Sequence, residues 1–153
     1  MEVRIRPAKA GEEHSVLAMY EWLFESPGRA PAWWNEEKAL NRLRGAIEAG
    51  DAEVLVAEDE SGSLIGVAAA YIDLESVRFG RRCWVEDLAV HPDRRSEGIG
   101  ARLLGAARDW ARGQGATHLE LDTGEARAAA RRFYERESPH HVGISYSWDL
   151  WSD

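Results

Sequence analysis

Residues 82–104 read RCWVEDLAVHPDRRSEGIGARLL, and this run decides the fold. Arg82 to Val90 is rich in apolar and β-branched residues and reads as a strand, ended by His91-Pro92-Asp93. After it come two closely spaced glycines, Gly98 and Gly100, and then a helical stripe of Ile99, Leu103, Leu104, Ala107, Trp110 and Ala111. A helix N-terminus carries unpaired N–H groups and about half a positive charge. Glycines let the backbone approach an anion closely. The loop Arg95-Ser96-Glu97-Gly98-Ile99-Gly100 is therefore read as an anion cradle. It is neither the dinucleotide fingerprint, since Gly98-Ile99-Gly100 is followed by Leu103, nor a P-loop, since no Gly-Lys-Ser/Thr follows.

The rest of the chain alternates strands and helices around this unit. Val3–Arg6 reads as a strand ended by Pro7, and Glu12–Phe24 as a helix with Val16, Leu17, Tyr20, Leu23 and Phe24 on one face. Ser26–Pro31 is a loop, broken by two prolines and a glycine. Asn35–Ala49 is a second helix, with Glu36 and Glu37 suited to its first turn. Glu53–Glu58 and Ser63–Asp73 form a hairpin, His118–Thr123 a fifth strand, Glu125–Arg136 a fourth helix and Val142–Leu150 a last strand. The expected class is α/β (α+β), in one domain spanning residues 1–153 with no repeat or linker.

Composition narrows the function. The chain has 153 residues and a net charge of −8, from 27 acidic and 19 basic residues. An acidic surface repels nucleic acid and attracts cations, or simply keeps the protein soluble. The longest nearly apolar stretch, Leu64–Ile72, is too short to span a bilayer, and the N-terminus lacks the apolar core of a signal peptide, so a cytoplasmic protein with no membrane partner is expected. The lone cysteine, Cys83, forbids an internal disulfide and reads as a buried thiol. Five histidines show no metal-ligand spacing, so no metal is expected.

Arg95, Gly98 and Gly100 match the Gln/Arg-x-x-Gly-x-Gly/Ala cofactor motif, and the chain here resembles the GNAT superfamily of N-acetyltransferases. Trp84 to Gly100 looks like that family's central strand and loop, and Ala130-x-x-Phe133-Tyr134-Glu135 like its tyrosine segment. Ser96 and Glu97 depart from the pattern, standing where glycine and a neutral or basic residue are frequent. Arg127 stands where asparagine is frequent, and Glu137–His141 replaces the usual Gly-Phe.

The resemblance implies a mixed, mostly antiparallel sheet of six to seven strands flanked by about four helices. The sheet would splay between the fourth and fifth strands, with acetyl-CoA as co-substrate entering the split. Loop residues Arg95 to Ala101 would hold its pyrophosphate, and backbone groups of Leu88, Ala89 and Val90 its pantetheine arm. Arg127 and Arg131, one turn apart, would meet a phosphate or form a solvated face. Alternation along the fourth strand puts Trp84, Glu86, Leu88 and Val90 on one face and Cys83, Val85, Asp87 and Ala89 on the other. The family's acceptor cleft lies on the Glu86 side, which makes Glu86 the candidate base, with Asp87 as runner-up, and Tyr134 the candidate acid. Trp22, Trp33, Trp34 and Trp84 would bind the acceptor, a small cationic amine, while Trp148 and Trp151 suit a core or a homodimer contact. Acetylation of a protein N-terminus or lysine, and a non-catalytic acyl-CoA-binding module, are the alternative readings.

Overall fold

The structure, a computed structural model, describes residues 2–124 and 126–150. Two compact units divide the chain after Leu121. The first holds the sheet. Its strands are β1 (Arg4–Pro7), β2 (Ala52–Glu58), β3 (Leu64–Ser76), β4 (Gly80–Val90) and β5 (His118–Glu120). They run in the order β1-β2-β3-β4-β5, antiparallel throughout except for the parallel β4–β5 pair. Helices α1 (Glu13–Ala18), α2 (Glu21–Phe24), α3 (Glu36–Glu48) and α4 (Ile99–Gly113) complete the unit, with a 3-10 turn at Pro92–Arg94.

The periodicities predict these elements with four corrections. The described sheet has five strands, not six to seven. Residues 142–150, expected to be a strand, have no regular structure: their alternation specifies a strand but supplies no neighbour to pair with. The fifth strand stops at Glu120 instead of Thr123. The first helix is interrupted at Met19–Tyr20, where the N–H of Met19 bonds to Val16 O and that of Trp22 to Met19 O, each three residues back. This tightening turns Met19 inward, to 2% exposure. By contrast α3 begins where its cap requires: the Asn35 side chain accepts from Lys38 N–H at 2.9 Å.

Strand alternation gives the sheet two buried faces. Val54, Val56, Val67 and Ala89 pack with Val16, Leu17 and Met19 of the α1 region and with Leu43 and Ala46 of α3. The opposite face receives α4 through Leu103, Leu104, Ala107 and Ala111, all buried. Gly66 permits the close approach: a Cβ there would stand 3.0 Å from Leu103 Cδ1 and 3.2 Å from Ala57 Cβ. Arg6 ties the start of α1 to the sheet edge, its Nη2 lying 2.7 Å from both Glu12 and Glu58. Among the described residues no helix is long and apolar enough to cross a membrane.

The second unit, from Asp122 onward, contains α5 (Ala128–Arg136), followed by residues 137–150 without regular structure. Of the helix expected over Glu125–Arg136, Glu125 lies outside the described residues, as does Trp151.

Leu103 is fully enclosed between α4 and the sheet. Leu103→Ala is expected to lower the unfolding free energy by roughly 2–5 kcal/mol, read from denaturant midpoints at unchanged slope.

Candidate active site

β4 carries the first group of predicted residues, and its geometry departs from simple alternation. Its register with β3 jumps from Ala69↔Asp87 to Ala70↔Val85, leaving Glu86 as the extra residue of a β-bulge. The bulge reverses the faces beyond it. Asp87 and Ala89 oppose Ala69 and Val67, which puts them on the face of Trp84. Leu88 and Val90 join Cys83 and Val85 on the α4 side. The expected grouping of Trp84 with Glu86, Leu88 and Val90 is thereby corrected, because one inserted residue shifts a period of two by half a cycle.

The two carboxylates consequently meet different surroundings. Glu86 is exposed, and its Oε2 accepts from Trp84 Nε1 at 2.6 Å. Trp84 in turn lies under the Arg82 guanidinium, 5.0 Å from the ring centroid. Asp87 is turned beneath the N-terminal helices, where Tyr20 donates its hydroxyl to Oδ2 at 2.7 Å. Burial pushes the Asp87 carboxyl up to about 6, Tyr20 opposes this, and neighbouring Glu86 adds to it. The Tyr20 hydroxyl is itself raised by burial and by Asp87. Cys83 is buried, and burial lifts its thiol to about 11, far from a reactive thiolate.

β4 also parts from β5. The pairing covers Arg82↔His118, Cys83↔Leu119 and Trp84↔Glu120 and stops there, while β4 continues to Val90. His91 N–H bonds to Ile65 O at 2.9 Å. Antiparallel alternation then directs the backbone groups of Asp87 and Ala89 toward β3, and those of Leu88 and Val90 away from it. Among the described residues no strand covers that edge. Arg95 reaches it from the loop, its Nε 3.2 Å from Val90 O, and its Nη2 lies 3.9 Å from Glu25.

The loop residues come together at the start of α4. Gly98 is the N-cap, with φ +82°, and no side chain caps the helix. The N–H groups of Ile99, Gly100 and Ala101 have no carbonyl one turn back, so they are available to an anion. Ser96 also has a positive φ, +66°, the conformation that explains why glycine suits this position. The Glu97 carboxylate, which would repel an anion, is held by Arg94 Nε at 3.1 Å from each oxygen. Ile99 is buried and anchors the turn.

In the second unit, Tyr134 lies on α5 against Phe133, ring centroids 5.0 Å apart. Burial raises its hydroxyl to about 12, with Arg127 opposing and Asp122 reinforcing the shift. The phenol therefore keeps its proton at neutral pH. Arg127 is the N-cap residue of α5, and its carbonyl accepts from Arg131 N–H at 3.0 Å.

Of the predicted acceptor residues, Trp22 and Trp34 line a cleft of about 460 Å³ with His14, Glu21, Phe24 and Glu36. Phe24 and Trp34 meet edge to face at 4.8 Å. Trp22 also meets His91, at the end of β4, edge to face with ring centroids 5.0 Å apart. Trp33 is not among the lining residues and is half exposed.

The sequence pattern of the acetyltransferase (GNAT) family matches residues 16–138 of this chain. An N-acetyltransferase of Bacillus subtilis (strain 168), YhfO, is 32% identical over 88% of this chain and 87% of its own. The aminoglycoside N(6')-acetyltransferase type 1 of Klebsiella aerogenes is 34% identical over 78% of this chain and 77% of its own. The crystal structure of the aminoglycoside N-acetyltransferase AAC(6')-Iy in complex with CoA shares the fold at 17% identity, with a TM-score of 0.82 over 97% of this chain and 94% of that one. The chain belongs to the GNAT family. It is an acyltransferase.

Several residues of the candidate site escaped the sequence reading. Tyr20 was visible only as one apolar-stripe position of the first helix, although a buried tyrosine hydroxyl needs a partner. His91, Glu21 and Glu36 carry no motif, and Arg94 shows its role only once Glu97 is seen beside it.

The Asp87 carboxyl is protonated more readily in the folded chain, at about 6, than at its ordinary 3.8. Its contribution to stability is thus present below the ordinary value and lost as pH rises through about 6. Asp87→Asn is expected to flatten that part of the stability–pH curve, measured as Tm across the interval. Tyr20→Phe is expected to move the Asp87 midpoint upward, read by carboxyl NMR titration.

Proposed function

We propose that this chain transfers the acetyl group of acetyl-CoA to a primary amine of a small cationic acceptor, by direct attack with both substrates bound. The observation that carries this reading is the parting of β4 from β5 beside an uncapped helix. It leaves backbone groups of Leu88 and Val90 facing outward next to the free N–H groups at Ile99, Gly100 and Ala101. An open strand edge suits an amide-bearing arm, and helix N–H groups suit a pyrophosphate, so the donor set fits coenzyme A. Bound there, acetyl-CoA supplies an acetyl thioester. Arg95, Arg127 and Arg131 are the cations assigned to its phosphates.

The residues of this chain divide the proton chemistry. An ammonium has no lone pair, so it must lose a proton before it attacks. Glu86, exposed on the bulge, takes that proton, directly or through a water. Asp87, raised toward neutrality, is the second candidate. An outward N–H of the Leu88–Val90 edge holds the developing oxyanion. Tyr134, protonated at neutral pH, gives its proton to the departing sulfur.

The acceptor class follows from charge and from the relatives. The −8 net charge draws cations, and the cleft sets Glu21 and Glu36 among Trp22, Phe24 and Trp34, an arrangement suited to an organic ammonium. Trp84, under Arg82 and bonded to Glu86, lies on the acceptor side of β4. The streptothricin acetyltransferase of Streptomyces lavendulae, 36% identical over 58% of this chain and 45% of its own, and the Klebsiella enzyme are both named for small amine-bearing compounds. This supports a small molecule over a protein acceptor, and an enzyme over a binding module.

Incubation with acetyl-CoA and a panel of amines, following free thiol, tests the reaction. The buried Cys83 adds no fast background. Amine-dependent thiol release is expected. Acetyl-CoA binding without turnover on any amine would support the non-catalytic module instead. Glu86→Gln and Tyr134→Phe are each expected to lower kcat by roughly tenfold or more. Unchanged rates in both would remove these role assignments. Trp34→Ala is expected to raise the acceptor KM several-fold while acetyl-CoA affinity stays the same, measured by initial rates and calorimetry.

A further inference from the structure

α2 is a single turn, Glu21–Phe24, and no side chain caps its N-terminus. A helix this short is not stable by itself, so tertiary contacts must decide where it sits. Yet Glu21, Trp22 and Phe24 all line the aromatic cleft. Side-chain contacts with β4 and with the residue after it hold this region. Tyr20 donates to Asp87 at 2.7 Å, which fixes the start of α2. Trp22 meets His91 edge to face, ring centroids 5.0 Å apart and planes inclined at 66°, which fixes the indole at the cleft. Both rings of this pair are half-buried, and swinging either away would open apolar surface to water.

His91 is equally committed toward the loop. Its N–H bonds to Ile65 O of β3 at 2.9 Å, so the residue is fixed to the sheet. Its carbonyl accepts from Arg94 N–H at 2.9 Å, and its Nδ1 accepts from Asp93 N–H at 3.0 Å. The imidazole thus caps the 3-10 turn Pro92–Arg94, a task more often given to a short oxygen-bearing side chain. That turn delivers Arg94, which holds the Glu97 carboxylate, and Arg95, whose Nε lies 3.2 Å from Val90 O. The cap needs an acceptor atom and the Trp22 contact needs a ring. A histidine supplies both from one side chain.

We propose that His91 is a positioning residue shared by the two substrate sites. Its ring sets the Trp22 indole and, through it, the acceptor cleft. Its Nδ1 sets the turn that leads into the loop assigned to acetyl-CoA. The role requires no contact with either substrate and no proton transfer. It rests on the proposed reaction, and the measurements below separate the two.

Two variants divide the side chain. His91→Asn keeps an oxygen that can cap Asp93 N–H and discards the ring. His91→Phe keeps a ring and discards the acceptor. Initial rates at varied amine, with acetyl-CoA affinity from calorimetry, read the difference. His91→Asn is expected to raise the acceptor KM roughly three- to tenfold, the size of an aromatic pair, with acetyl-CoA Kd unchanged. His91→Phe is expected to raise the acetyl-CoA Kd several-fold and leave the acceptor KM within about twofold of wild type. Trp22→Ala is expected to raise the acceptor KM, and adding His91→Asn to it to raise KM no further, because the indole that the ring positions is gone. Additive effects in the double variant, or both constants moving alike in the Asn and Phe variants, would overturn the shared role. An unchanged acceptor KM in His91→Asn beside a raised one in Trp22→Ala would overturn it too, while leaving the cleft as the acceptor site. Unchanged acceptor KM in both would remove the cleft from that site and His91 with it. Wild-type protein that releases no thiol with any amine would remove the reaction itself and this role together.

Discussion

The constraint on which the site depends is the extra residue at Glu86. β4 lies between β3 and β5 and must satisfy both. Before the bulge it pairs on both sides; beyond it, only with β3. The insertion lifts Glu86 into solvent and rotates Asp87 under the helices. It also turns the outward backbone groups of Leu88 and Val90 along an uncovered edge. One residue thus sets two carboxylates in unlike environments and begins the open edge that the proposed chemistry needs.

The layers on either side hold this edge in place. α4 is pressed onto the sheet where Gly66 allows Leu103 to approach, and the same helix begins at Gly98, whose positive φ leaves its first N–H groups uncapped. The packed stripe and the uncapped N–H groups therefore belong to one element. On the other face, the Tyr20–Asp87 hydrogen bond ties the break between α1 and α2 to β4. The aromatic cleft begins at that break, with Trp22 reaching back to His91. The Glu97 departure is neutralised locally, since Arg94 engages its carboxylate.

Much of this was legible in the residues. The strand–glycine–helix run of 82–104 placed β4, the loop and α4, because strand composition, two close glycines and a helical apolar stripe are all local in the chain. The Asn35 cap and the stripe of Leu43 and Ala46 placed α3. Tryptophans near the Pro-rich loop announced an aromatic surface, of which Trp22 and Trp34 converge and Trp33 does not. The faces of β4 were misread after Glu86, since a bulge has no residue signature of its own: Val85-Glu86-Asp87 alternates as well with it as without. The segment 142–150 was read as a strand on a correct periodicity, although a period specifies a face and a strand exists only where another strand supplies its hydrogen bonds.

The sequence alone determined the family, the position of the glycine loop at the start of α4, the elements at the centre of the chain and the acidic character of the surface, because each follows from local spacing or from a sum over residues. Only the tertiary structure decided which carboxylate is exposed and which is buried beside Tyr20, where β4 leaves β5, that Arg94 neutralises Glu97, and that Glu21 and Glu36 share a cleft with Trp22 and Trp34. These depend on strand register and on contacts between residues distant in the chain, and register is set by the packing of whole faces, which no single stretch of sequence contains.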